Sequence, residues 1–167
     1  MAATLVFRLT GGSANADPNA SLGGAMSSVS VSGTSLNNIF DDVLAAEAVA
    51  GDTEYRFIDL YNSGDATATN VKFSISSNST SPDTELTAGQ DATNNPHLAL
   101  ASLELLANES TAPASPAIVF ALHPEGTELS LSNIDALSAA RICLKRVVTA
   151  GADNIASDSC TLTCTYA

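Results

Sequence analysis

The sequence is short of the residues on which most catalytic and metal sites depend. It has no tryptophan, two histidines and three cysteines among 167 residues. His97 and His123 have no partner residues at ligand spacing, and the GxSxG, HExxH and GxxxxGK[ST] motifs do not occur. Glycoside hydrolysis by paired carboxylates stays open, although its clefts favour tryptophan. We therefore expect no enzymatic activity, no cofactor and no metal, and we assign no catalytic or binding residue.

Positive charge is also scarce. Six Lys and Arg residues face eighteen Asp and Glu residues, which gives a formal net charge of −12. Phosphate backbones and anionic membranes would repel such a chain, so neither nucleic acid nor membrane is an expected partner. Charged residues make up only 14% of the sequence, however, so this is not an acidic disordered tail. Small polar residues and alanine dominate instead, as suits a sheet-rich shell protein.

Long apolar runs and secretory features are missing too. No stretch approaches the ~18 apolar residues of a membrane span, and the first residues lack a signal peptide's basic start. We therefore expect synthesis and folding in the cytoplasm. Cys143, Cys160 and Cys164 are odd in number and lack CxxC spacing. Within one strand Cys160 and Cys164 would lie ~13 Å apart, too far for a disulfide, so we expect all three cysteines to be buried, reduced and structural.

What the sequence does contain is short β-type runs separated by turn signals. Apolar and β-branched residues alternate with polar ones, and Gly, Pro, Asn and Asp punctuate them every 8–12 residues. Strands are predicted at 4–10, 26–33, 54–61, 71–76, 117–122, 128–134, 140–148 and 159–166. The pattern favours a single domain over 1–167, an antiparallel β-sandwich of immunoglobulin-like or jelly-roll-like type.

One segment carries a helical pattern. Its apolar residues recur at the three-to-four spacing of a helix face: Ile39, Phe40, Val43 and Leu44. We predict a short helix at about 37–47, capped by Asn37 or Asn38. Asp41 and Asp42 would then lie in its first turn, where the helix dipole favours negative charge.

The predicted strand Glu54–Tyr61 is unusual because neither of its faces is purely apolar. Asp59 shares one face with tyrosine and phenylalanine side chains, and Arg56 shares the other with Ile58 and Leu60. A strand of this kind is usually covered on both faces. We expect part of that cover to come from another molecule or element.

Three stretches are predicted as loops or remain ambiguous. Residues 11–24 hold Pro18 and flanking glycines and read as an extended arm or a loop. Residues 77–96 are polar and turn-rich, which predicts a long surface excursion. Residues 97–106 fit a helix or a bulged strand, and the neighbouring strands favour the strand.

Two groups of polar residues resemble ligand sets only loosely. His123 lies near Glu125 and Glu128, but a hydrated turn beside a strand explains all three, and His97 reads as a loop residue. The acidic loop residues Asp83, Glu85 and Asp91 lack the one-three-five oxygen spacing of a calcium loop. Neither group is predicted to bind a metal.

Three segments together resemble small virion structural proteins of tailed bacteriophages. They are an Asn-Asn-aromatic-Asp element at Asn37–Asp42, a Gly-Asp-Thr-Glu-Tyr-Arg strand at Gly51–Arg56, and a late strand with Arg-Xaa-Val-Xaa-Ala-Gly at Arg146–Gly151. The resemblance covers roughly Ser32–Asn154. A weaker likeness joins the NSGDATATNV turn to immunoglobulin-like adhesive domains.

The resemblance implies a non-enzymatic β-sandwich assembled into the virion after synthesis in the host cytoplasm. The favoured function is a capsid decoration, or cement, protein that binds the major capsid protein, stabilises the head and self-associates as a homotrimer. One alternative is a tail, baseplate or fibre-attachment protein of the same virion. Another is a surface adhesin or carbohydrate-binding module.

Overall fold

The computed structural model describes residues 2–34, 36–91, 97–98, 103–114 and 118–167. Within them the chain forms two antiparallel sheets and one short α-helix. The strands are β1 (Leu5–Thr10), β2 (Met26–Ser30), β3 (Asp52–Asn62), β4 (Lys72–Ser77), β5 (Thr84–Gln90), β6 (His97–Leu98), β7 (Leu129–Ser130), β8 (Ser138–Val148) and β9 (Thr161–Thr165). Helix α1 spans Ala45–Ala50, and a 3-10 turn spans Pro18–Ala20.

The larger sheet has the order β2-β1-β3-β8-β5, and β6 pairs with β8 as well. Its centre is the long antiparallel pair β3–β8, in register from Asp52 opposite Val148 to Tyr61 opposite Ala139. The smaller sheet has the order β7-β4-β9. These two sheets confirm the predicted all-β class and are consistent with a β-sandwich.

The main core lies between the two sheets. Alternate residues of β3 and β8 point toward the smaller sheet, where Phe73 and Ile75 of β4 meet Ile58 and Leu60 of β3. These four side chains are at most 2% exposed. Burial of each side chain stabilises the folded state by about 1.5–3 kcal/mol. The period-two alternation of apolar residues on β3, β4 and β8 therefore determines how the two sheets pack.

A second apolar layer covers the outer face of the larger sheet. Tyr55 and Phe57 of β3 and Cys143 of β8 pack there against Leu106 from the segment that follows β6. Strand β3 is consequently buried on both faces from its third residue onward. The prediction of two-sided cover is confirmed, and the described parts of this chain supply that cover.

The predicted helix at 37–47 is wrong over most of its length. The helix begins at Ala45, and the residues before it form turns, with Asn37 at a φ of +53°. Asp41 is therefore not in a first helical turn. Its carbonyl oxygen accepts a hydrogen bond from the Arg146 guanidinium at 2.8 Å, and Ile39 turns inward to the core. Tertiary contacts thus override a local helical pattern.

The predicted excursion at 77–96 is also partly wrong, because it contains β5. Seven residues of β5 pair with β8, and Leu86 and Ala88 face the main core. The other five positions of β5 are threonine, glycine, glutamate or glutamine, so its sequence carries little apolar alternation. Residues 92–96 of that prediction lie outside the described residues.

Two other strand predictions shrink, and one ambiguous segment stays partly open. Of 117–122, the described residues contribute only a single bridge, from Ala121 to Ala88, and 128–134 reduces to β7 and a bridge at Ile134. For 97–106, the structure has β6 and a bridge at Leu105. Residues 99–102 lie outside the described part.

Residues 11–24 form a folded loop, not an extended arm. The N–H of Phe57 donates to the Ser21 carbonyl at 2.8 Å, and the Ser21 hydroxyl donates to the Phe57 carbonyl at 2.9 Å. Gly23 then approaches the backbone so closely that a Cβ would lie 2.1 Å from the carbonyl oxygen of Glu104. The loop thus covers the edge of β3 where β1 no longer pairs.

Candidate functional site

A cluster of five charged side chains lies at one end of the larger sheet. Glu54 and Arg146 oppose each other on β3 and β8, and Arg146 Nε donates to Glu54 at 2.5 Å. Arg56 Nη2 donates to Glu109 at 2.6 Å and lies 3.6 Å from Asp41. The Phe40 ring packs against both guanidinium groups. Its centroid lies 4.9 Å from Cζ of Arg146 and 5.5 Å from Cζ of Arg56.

The three carboxylates of this cluster lie close enough to suggest a metal site. One oxygen each of Asp41, Glu54 and Glu109 lies within 4.8 Å of the others. Arg56, which is fully buried, reaches all three carboxylates, and Arg146 reaches two of them. The guanidinium groups therefore supply the positive charge that a metal ion would supply, and the arrangement is that of a structural ion-pair network.

Burial perturbs one member of this network. Removal from water raises the pKa of Glu54 to about 7, while Arg146 and Arg56 pull that pKa in the opposite direction. The carboxylate of Glu54 is only 4% exposed. Burial thus outweighs the two arginines, and the Glu54 carboxyl group holds its proton up to about pH 7.

The three segments that carry the bacteriophage resemblance meet in this cluster. Asp41 comes from the first segment, Glu54 and Arg56 from the second, and Arg146 from the third. Gly51, which begins the second, has a φ of +79°, and a Cβ there would lie 3.1 Å from the Ala150 nitrogen. Segments that are far apart in sequence therefore form one spatial unit.

A second buried ion pair lies on the outer face of the larger sheet. Arg141 of β8 donates to both oxygens of Asp59 of β3, at 2.9 and 2.7 Å. Both side chains are fully buried, and the guanidinium lies 5.5 Å from the Phe57 ring centroid. The second apolar layer encloses this pair, so it is not accessible to a substrate.

An accessible groove of about 1210 Å³ is lined by residues of both sheets. Phe7 of β1 and Val31 after β2 line it from the larger sheet, and Leu162 of β9 lines it from the smaller sheet. Residues 36–43 and 152–160 supply most of the remaining lining. Leu86 of β5 and Val148 of β8 line it as well, so the groove reaches across the larger sheet from β1 to β5.

Of the ten exposed large apolar side chains among the described residues, five belong to segments that line this groove. Leu36 is 77% exposed and Val49 is 75% exposed. We call the following residues the apolar rim: Leu36, Val43, Leu44, Val49 and Ile155. Three of them line the groove, and the other two belong to α1 or the residue before it. A concentration of exposed apolar residues of this kind marks an interaction surface.

The groove is also acidic. Its lining includes four aspartates, Asp41, Asp42, Asp153 and Asp158, and a single cation, Arg146. Asp42 and Asp153 are exposed to solvent. Asp158 accepts hydrogen bonds from the side chains of Ser79 and Thr80 and from the N–H groups of Thr80 and Ser81. An apolar and acidic surface is complementary to an apolar and basic partner.

The residues that the sequence analysis weighed as ligands are not brought together. Asp83 and Asp91 flank β5 at opposite ends, and a seven-residue strand spans roughly 23 Å. The Asp91 N–H donates to the Arg141 carbonyl, and Asp83 accepts from the N–H of Asp153. His123 lies in the loop before the turn at 125–126, with a φ of +49°, and its carbonyl accepts from the N–H of Ile75. His97 belongs to β6.

The cysteines are free but differ in exposure. Cys143 is buried, Cys164 is partly buried and Cys160 is exposed. Burial raises the pKa of the Cys143 thiol well above its usual value, so that thiol is unreactive. The prediction of a buried, reduced thiol is confirmed for Cys143, and the prediction of burial is wrong for Cys160.

The groove was missed in the sequence because its residues come from segments with no common pattern. The one usable signal is the apolar spacing at 39–44, which the sequence analysis assigns to a helix face.

Within the described residues, no helix has the length and apolar character needed to cross a membrane. Comparisons with protein-family models, with curated proteins and with solved structures found no match to this chain.

Proposed function

We propose that the chain is a non-enzymatic structural protein of a tailed-bacteriophage virion, and that it decorates the capsid by binding the major capsid protein. The observation that carries the proposal is the apolar rim beside an open groove. Exposing several large apolar side chains in one place disfavours a solitary soluble protein, whereas burying them against a larger assembly is favourable.

The use made of the charged residues supports the same function. The five side chains of the cluster are tied to one another across β3, β8 and two covering segments. Those charges stiffen the fold and leave the groove as the principal surface for contact. A rigid, preorganised surface loses little conformational entropy when it docks on a partner, which is the requirement for a protein that stabilises a pressurised shell.

Net charge supports an external position on the particle. At −12, the chain gains nothing from contact with packaged DNA. The proposed copy arrangement is a homotrimer, which fits the local threefold axes of a shell. Sedimentation equilibrium of the purified protein at several ionic strengths tests that part independently of any capsid.

The decisive test is binding to isolated virion parts. Purified protein is added separately to heads and to tails prepared from particles of the encoding phage that lack it. The proposal predicts co-sedimentation with heads at a fixed ratio and a higher temperature of DNA release. Binding to tails alone would support the tail or baseplate alternative, and binding to neither would reject the virion function.

A matched pair of variants shows whether the apolar rim makes the contact. Leu36→Ser combined with Val49→Ser should abolish co-sedimentation with heads, because it removes two of the most exposed apolar side chains of the rim. Leu137→Ser is the control, since Leu137 is 62% exposed but belongs neither to the apolar rim nor to the groove lining. Equal binding by both variants would contradict the assignment of this surface.

A further inference from the structure

Strand β9 is the edge strand of the smaller sheet, and its outer backbone groups can be identified from the ladder. The N–H of Ile75 on β4 donates to His123, on the side away from β9. Ser74 therefore directs its backbone groups toward its β9 partner, Thr163. By the same alternation, Leu162 and Cys164 direct their N–H and C=O groups outward, away from β4.

At two other places, on β5 and on β3, elements of the chain itself close the edge of the sheet. The Asn78 side chain bonds both backbone groups of Leu86 on β5, at 2.9 and 2.8 Å. Ala121 bonds both backbone groups of Ala88 on the same strand. At β3, the N–H groups of Tyr55 and Phe57 are taken by loop carbonyls. These devices are the usual protection of an edge against pairing with another chain.

The outer edge of β9 has no such protection. Among the residues that the structure describes, none bonds to the outward N–H and C=O groups of Leu162 or Cys164. The start of β9 also borders the groove, because Thr161 and Leu162, together with Cys160 before them, line it. A strand edge with unpaired backbone groups beside a partly apolar groove is an arrangement that can accept an added β-strand.

We propose that the groove receives an extended segment of a partner protein, which pairs with β9 as an added strand. Its alternate side chains, which point into the groove, are apolar, and lysine or arginine residues flank them. On the proposed function, from which this inference starts, the partner is another protein of the same particle. The added strand would carry the smaller sheet across the gap toward β1.

Charge complementarity decides between a partner and a second copy of this chain. The groove lining carries four aspartates against one arginine, and each copy carries a net charge of −12. Two copies pairing through β9 would bring like charges together, which is unfavourable. A basic segment instead gains from Asp42 and Asp153, both of which are exposed.

The test is to select, from a displayed library of random nine-residue peptides, those that bind the full-length protein. We expect enrichment of peptides that alternate apolar residues and carry net positive charge. Binding of a selected peptide should slow hydrogen exchange at the Leu162 and Cys164 amides. N-methylation of the peptide backbone should abolish its binding. Failure of the selection, or enrichment of acidic peptides, would overturn the proposal.

A matched pair of variants isolates the strand pairing. Cys164→Pro removes an outward N–H without removing a ladder bond to β4, and Cys164→Ala loses the same thiol but keeps the N–H. The proline variant should bind the selected peptide about tenfold more weakly than the alanine variant. Equal binding would overturn strand addition. If the proline variant unfolds, the double variant Asp42→Asn, Asp153→Asn provides the test. It should bind the selected peptide more weakly, and its affinity should depend less on salt concentration.

These outcomes separate this inference from the proposed function. A protein that binds basic peptides along β9 but never joins heads or tails retains the groove assignment and loses the virion function. A protein that joins heads equally well with Cys164→Pro and Cys164→Ala retains the virion function and loses strand addition. A dimer in solution that Cys164→Pro abolishes would show a second copy in the groove and overturn the partner assignment.

Discussion

The interior of this protein contains charged side chains, and its groove exposes large apolar ones. This is the reverse of the usual distribution. Inside, Arg56, Asp59 and Arg141 are fully buried. Along the groove, Leu36 and Val49 are about three-quarters exposed. Charges are normally solvated and large apolar side chains are normally buried.

The difference indicates which residues hold the fold together and which are left for association. Each of these three buried charges has an opposite charge within hydrogen-bond reach, so these ion pairs cannot be broken singly without cost. The apolar rim makes little contribution to folding because it stays in water. Mutations in the interior should therefore reduce stability, and mutations in the rim should reduce binding.

Breaking the enclosed pair on the outer face gives the largest expected effect. Arg141→Met leaves the Asp59 carboxylate buried without its cation, which should lower the free energy of unfolding by about 3–5 kcal/mol. Replacing both partners, with Asp59→Leu added to Arg141→Met, should recover most of that loss. Urea denaturation measures both variants. A single variant as stable as the wild type would show that the pair is solvated.

The pH dependence of the free energy of unfolding tests the protonation of Glu54 in the charge cluster. Because the pKa of Glu54 rises from 4.5 in the unfolded chain to about 7 in the folded one, the folded state binds the extra proton between these values. The contribution of Glu54 to the free energy of unfolding is therefore full below pH 4.5, decreases as pH rises toward 7, and is constant above that.

The matched variant for this prediction is Glu54→Gln, which cannot titrate. The stability of the wild type minus that of the variant should decrease between pH 4.5 and 7, as measured by urea denaturation at each pH. A difference that increases with pH over this window would contradict the assignment and show that the arginines dominate over burial.

A smaller effect is expected at the Asp158 carboxylate, which holds the turn at 79–81. Partial burial acts to raise the pKa of Asp158, but hydrogen bonds from Ser79, Thr80 and Ser81 outweigh it and lower that pKa. Asp158→Ala should cost about 1–2 kcal/mol. The control Asp153→Ala removes an exposed carboxylate from the same groove and should change thermal stability by less than about 0.5 kcal/mol. Equal losses would contradict a bonding role.

The rim should show the smallest effect on folding. Leu36→Ser with Val49→Ser should leave the free energy of unfolding within about 0.5 kcal/mol of wild type, since both side chains are already in water. Differential scanning calorimetry measures this directly. A loss of several kcal/mol would show that the rim belongs to the core and would remove the contrast with the interior.

The β class and its principal strands could be predicted because alternation is a local property. Val71, Phe73 and Ile75 show the same period in sequence and in β4. Strand β5 could not be predicted, since its burial comes from pairing with β8 and not from its own composition. The helix prediction was wrong because Asp41 pairs with arginines from β3 and β8, partners that a local pattern does not contain.

The candidate surface was still less predictable. The groove joins residues from Phe7 to Leu162, and its apolar lining is spread through segments with no shared period. The two-sided burial of β3 was predicted from Arg56 and Asp59, but which side chains would neutralise them was not. Pairing across a sheet depends on register, and register does not follow from one strand alone.

The most direct measurement of the proposed virion function is a cryo-electron microscopy reconstruction of the intact particle into which this chain is proposed to assemble. It should place this chain on the outside of the head, with the groove beside β9 filled by an extended segment of a neighbouring protein. Particles that lack the chain altogether, or that carry it with the groove facing solvent and unfilled, would contradict the account.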